Sequence, residues 1–136
     1  MSDLDLIPSN VASAFAKFSL ENREALFAVR AMIFEVAMTD PRIGLVEETL
    51  RWGEPAYITR KKRTGSTIRL GVEKVTTQPA LFFDCKTSVV EEMRGQFGAL
   101  LTYSKNRAVL LDTNSEEAKA ALRMGIASAL TYHLRD

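Results

Sequence analysis

The only Trp of the chain stands five residues before a Tyr in "RWGEPAY", Arg51 to Tyr57, with Glu54 between them. Two aromatic walls and one carboxylate are the lining of a small-ligand pocket, where a mostly apolar surface carries a few convergent polar groups. The same residues also read as architecture. Gly53 and Pro55 mark a chain reversal, and a Trp beside a turn ordinarily packs its large surface under a sheet edge. On residue types alone the architectural reading is favoured, with Trp52 and Tyr57 kept as pocket walls.

Cys85 offers different chemistry. It precedes Ser88, a helix-start residue, and is followed by Lys86, so a thiolate there would be favoured by a helix N-terminus and a neighbouring cation. Thiol catalysis needs a base, and the only imidazole is His133. That residue falls on an apolar helical stripe, where a hydrogen-bonded core His is the commoner case, and alternation puts Cys85 with Leu81 and Phe83, as a buried inert thiol. Arg69, on the polar side of its strand, and Arg107, at a strand start, are candidates for gripping a carboxylate or phosphate. Their alternative is cross-strand pairing with Glu73 or Asp84. Arg60, Lys61, Lys62 and Arg63 form a run of four cations that would hold a phosphate or an acidic partner. Without interleaved aromatic residues for base stacking, a solvated tip that blocks edge pairing is preferred. No phosphate-binding glycine loop, nucleophile elbow or zinc spacing occurs, which removes the common nucleotide, hydrolase and zinc-enzyme readings.

Composition narrows the field further. With 136 residues and 46% hydrophobic content, the chain fits one globular domain over 1–136. Lys and Arg number 18 against 17 Asp and Glu, so the net charge of +1 gives no global reason to expect nucleic acid or an anionic membrane. One Cys precludes an intrachain disulfide, and neither a signal-like start nor a membrane-length apolar run is present, so a cytoplasmic protein is expected.

Elements must position these residues. A turn-and-cap signal at Pro8 to Asn10 opens a short helix with Val11, Ala14, Phe15 and Phe18 on one stripe, and residues 1–8 are expected to be a mobile terminus. Ser19 caps a second helix, apolar around most of its girth and interrupted in its second half only by Arg30 and Glu35, which ends at Asp40 and Pro41. "GLVEETLRW" predicts a helical turn or an extended lead-in. Strands follow in "AYITR", "STIRLGVEK" and "PALFFDC", with "RKKRTG" as a hairpin tip in which Gly65 is free to take positive φ. Ser88 with Glu91, and Asn114 with Glu117, have capping-box spacing before a short and a long helix, and "RAVLLD" between them is a further strand. "PALFFDC" and "RAVLLD" are apolar enough to be central strands covered on both sides. The expected class is α+β, with a largely antiparallel sheet of about four or more strands packed against N- and C-terminal helices.

This order, with "RWGEPAY", "GSTIRLG", "ALFFDCKTSVVEEMR", "NRAVLLD" and "ALTYH", resembles the YdhG-like family of small domains of unknown function over residues 20–134. The resemblance implies a compact α+β domain like the frataxin and secretion-chaperone layouts. One branch of the family is regarded as a frataxin-like iron chaperone. Iron sites want carboxylates, often with imidazole. Here Glu91 with Glu92 and Glu116 with Glu117 fall in first helical turns, where the helix dipole already accounts for them, Glu47 and Glu48 are adjacent, and one His and one Cys make no metal cluster by spacing. No metal ligand is therefore assigned and no cofactor is specified.

The leading expectation is a non-enzymatic domain that binds or carries a small ligand or metal, with Trp52, Glu54, Tyr57, Arg69, Cys85 and Arg107 as contacts. The alternatives are a protein-interaction adaptor, homo-oligomeric or partner-binding, using the apolar second helix and the basic tip; the iron chaperone implied by the resemblance; and a thiol-based enzyme using Cys85.

Overall fold

The computed structural model describes residues 7–135, and the fold is α+β. In chain order the elements are α1 (Ser9–Ala16), α2 (Leu20–Thr39), β1 (Glu47–Arg51), β2 (Glu54–Ile58), β3 (Ile68–Val72), β4 (Pro79–Phe83), α3 (Val89–Phe97), β5 (Thr102–Ser104), β6 (Ala108–Leu110) and α4 (Glu116–Leu130). The strands form one six-stranded sheet in the order β1-β2-β3-β4-β6-β5, with every neighbouring pair antiparallel. Two of them, β1 and β5, stand where the sequence predicts no definite strand. "GLVEETLRW" resolves to its extended alternative because Glu47 to Arg51 pair residue by residue with β2.

Strand alternation sorts the sheet into two faces. Tyr57, Ile68, Leu70, Leu81, Phe83 and Val109 join one cluster with buried residues of all four helices, so the helices cover this face. Ala80, Ala108 and Leu110 form a second cluster, with Phe82 against it, on the opposite face. Burial on both faces makes β4 and β6 central, as their apolar runs predict. The apolar α2 is likewise accounted for by this core, in which Leu26, Val29, Met32, Ile33 and Val36 are buried. Of the terminus predicted to be mobile, residues 1–6 lie outside the described residues, while Ile7 packs against the core.

Helix starts follow local chemistry, with three corrections, the first being that α1 begins at Ser9 after Pro8 without a side-chain cap. The Ser19 hydroxyl accepts the Asn22 N–H at 3.2 Å, as predicted. The long helix is capped by Ser115, which accepts from Ala118 at 3.1 Å, one residue after the predicted Asn114. Ser88 is at the N-cap of α3 but makes no capping box with Glu91. Its hydroxyl donates to Glu92 at 2.6 Å, and its N–H donates to the Tyr132 hydroxyl at 3.1 Å. A carboxylate one turn on and the returning C-terminal segment thus compete successfully for the capping group.

The basic tip also differs from expectation. Positive φ falls on Arg63, at 55°, and not on Gly65. Gly65 is required for a different reason: any side chain there would collide with the Leu130 backbone, where the loop crosses the end of α4. Arg60 is paired with Glu47 at 2.5 Å, and the Lys62 ammonium donates to the Pro41 carbonyl at 3.0 Å, so the exposed run is partly fastened to the start of β1 and to the loop before it.

Candidate functional site

"RWGEPAY" is a β-hairpin. Leu50 faces Pro55 and Arg51 faces Glu54 across a two-residue turn in which Trp52 and Gly53 both have positive φ, 55° and 76°. That is the pattern of tight hairpin turns matched to strand twist, where Asn or Gly is usual and a bulky residue is strained. Trp52 does not pack under the sheet. It is 89% exposed, held outward by a turn whose short connection leaves its side chain no core to reach.

Alternation then divides the predicted contacts. Glu54 and Tyr57 are three residues apart in β2 and lie on opposite faces. Tyr57 is wholly buried on the helical face, donates to a Glu48 carboxylate oxygen at 2.8 Å and meets the Phe34 ring edge-on at 5.8 Å. It is no pocket wall. Its environment is a buried charged network: Glu48 also accepts from Arg30 at 2.5 and 2.8 Å, and Arg30, 4% exposed, lies over Phe34. Desolvation and the neighbouring Glu48 carboxylate push the Tyr57 phenol well above its ordinary range.

The other predicted residues converge on the open face. A shallow pocket of about 310 Å³ is lined by Arg51, Trp52, Thr67, Arg69, Phe82, Phe83, Asp84, Cys85 and Arg107. It contains four of the six residues singled out from the sequence: Trp52, Arg69, Cys85 and Arg107. Glu54 stands at its border and forms an ion pair with Arg69, whose guanidinium lies 5.0 Å over the Phe82 ring. The predicted partner Glu73 is occupied elsewhere, accepting from Val75 and Thr76 in the β3–β4 turn. Among the described residues neither Arg51 nor Arg107 is in an ion pair.

Sequence reasoning overlooked Arg51, although its place beside the turn was legible, and Phe82, which was assigned to packing. Cys85 is exposed where burial was expected. β4 ends at Phe83, so strand alternation does not extend to residue 85. His133 is also exposed, in a 3-10 turn that ends the helical stripe at Leu130, and it does not line the pocket.

Among the described residues no group of three or more His, Cys, Asp or Glu side chains is placed to hold a metal, and no helix is long and apolar enough to cross a membrane. No protein-family model, curated protein or solved structure matches the chain.

Proposed function

We propose that this protein is a non-enzymatic binding or carrier domain for a small organic oxyanion, a carboxylate, phosphate or sulfonate with a flat apolar body, held on the open face of the sheet. The observation that carries this reading is the meeting of Arg51, Arg69 and Arg107, from separate parts of the chain, around Phe82 and Trp52. Guanidinium forks match oxyanions in pairs of parallel hydrogen bonds, and aromatic faces take the rest of a planar molecule. Asp84 offsets only part of the charge. The pocket holds a thiol but no imidazole, which favours binding over thiol turnover.

The reading sits comfortably with the YdhG-like domains that the sequence resembles, most of which have no established activity. The iron-chaperone role of one branch has less support, because among the described residues no group of three or more His, Cys, Asp or Glu side chains is placed to hold a metal.

The test is a titration with benzenesulfonate and with inorganic sulfate, read from the fluorescence of the single Trp, which lines the pocket. A saturable change is expected that weakens roughly tenfold in Arg107→Ala and fades in about 1 M salt. A response that is flat to about 10 mM of both anions, a weak-affinity limit, would overturn the proposal.

A further inference from the structure

An oxyanion of the chain itself stands at the pocket's border. The Glu54 carboxylate occupies the guanidinium of Arg69 and lies over Gly71, where any side chain would collide with it, so the bare backbone at 71 makes room for that carboxylate to lie on the sheet. Both members of the pair are about a quarter exposed, at 26% and 27%, so the pair is at the pocket's edge and within reach of an arriving ligand.

Resting on the oxyanion reading above, we propose that Glu54 is an internal counter-ion which the ligand replaces at Arg69, so that Glu54 sets the pocket's affinity and couples anion binding to proton uptake. A ligand oxyanion and the Glu54 carboxylate are the same chemistry competing for one fork. Once displaced, Glu54 loses its nearest cation and gains a nearby negative charge, and both changes favour its protonated form.

The charged and titratable groups facing Glu54 and the pocket are few. Arg51 is its cross-strand partner in β1, Arg69 its ion-pair partner in β3, and Lys74 in the β3–β4 turn lies close enough to act on it. Asp84, Cys85 and Arg107 line the remaining wall. Burial raises the Glu54 carboxyl above the ordinary glutamate range even in the resting pair, against the opposing pull of Arg69 and Lys74. Taking Arg69 from Glu54 removes the main opposing pull, so the carboxyl holds a proton more readily. Glu54 and Asp84 are the two carboxylates beside the pocket arginines, so they are the groups to separate.

Isothermal titration of the full chain with benzenesulfonate, which stays charged across the range, tests this directly. In buffers of different ionisation enthalpy at about pH 6, wild type should take up a fraction of a proton per anion bound, and its affinity should rise as the pH falls from about 7.5 to about 5.5. Glu54→Gln should bind roughly threefold to tenfold more tightly at about pH 7.5, with no proton uptake and a flat profile. Asp84→Asn, which alters pocket charge without freeing Arg69, should keep the proton uptake of wild type.

Binding by wild type with no proton uptake, or equal uptake in Glu54→Gln, would overturn the counter-ion role and leave the oxyanion pocket standing. Loss of the uptake in Asp84→Asn alone would also overturn it, by moving the coupling to Asp84. No binding by either wild type or Glu54→Gln would overturn the pocket together with the counter-ion.

Discussion

Tyr57 and Trp52 are near neighbours in sequence, yet one is the largest fully buried side chain and the other lies almost wholly in solvent. The Tyr57 hydroxyl completes the Arg30 and Glu48 network, and each member depends on the others because a buried charge without its partner is costly. Glu48→Ala, which leaves Arg30 without its carboxylate, is expected to lower stability by about 3 to 5 kcal/mol, and Tyr57→Phe by about 1.5 kcal/mol, in urea unfolding with little change in m value. The pH dependence follows from the raised Tyr57 value. Its folded-state phenol holds its proton longer than the unfolded one, so the stability it confers is complete below about pH 10 and drains away as the pH rises further. Alkaline unfolding should therefore be shallower in Tyr57→Phe than in wild type. At the other residue of interest, exposed Cys85, alkylation should proceed in the native protein at a rate within about tenfold of the denatured one, and saturating benzenesulfonate should slow it, because both occupy one pocket. A thiol that reacts only after denaturation would contradict its placement.

At the scale of elements, the β1–β2 hairpin carries an apparent conflict. Its turn places a large aromatic at positive φ, where Asn would be at ease. Strain of this kind persists where a site uses it. Trp52→Asn is expected to stabilise the fold by about 0.5 to 1 kcal/mol in thermal or urea unfolding, while weakening benzenesulfonate binding measured by calorimetry. A variant that gains stability and keeps full affinity would remove Trp52 from the site. In the same hairpin the separation of Glu54 from Tyr57 was legible from spacing alone, since residues three apart in a strand face opposite ways. A strand read as starting at Ala56, after a reversal at Gly53 and Pro55, hides this, because Glu54 already belongs to β2. β1 carries Glu47, Glu48 and Thr49 in sequence, and such a polar edge strand has little apolar alternation to betray it.

For the whole molecule, helices cover one face of the sheet, and the other carries the small cluster of Ala80, Ala108 and Leu110 beside the pocket. A ligand bound only to the folded state stabilises it by mass action. Benzenesulfonate at 100 times its dissociation constant should add about 2.7 kcal/mol, which for a chain of this length moves Tm by about 9 °C in a thermal scan. No shift at that occupancy would mean that the ligand binds the unfolded chain as well.

The sequence by itself determined the α+β class, the antiparallel sheet, the two-sided burial of β4 and β6, and the cap at Ser19. These follow from short-range causes, namely hydrophobic period, turn residues and hydroxyl caps, that act over a few residues. It also supplied Trp52, Glu54, Arg69, Cys85 and Arg107 as candidates, because uncommon or charged residue types draw notice wherever they fall. Only the tertiary structure decided that four of these share one pocket, that Tyr57 belongs to a buried network with Arg30 and Glu48, and that Glu54 occupies Arg69. Those relations depend on strand order and on which face each residue takes. Cross-strand pairing brings residues far apart in the chain side by side, and a local pattern carries no record of which strand becomes the neighbour.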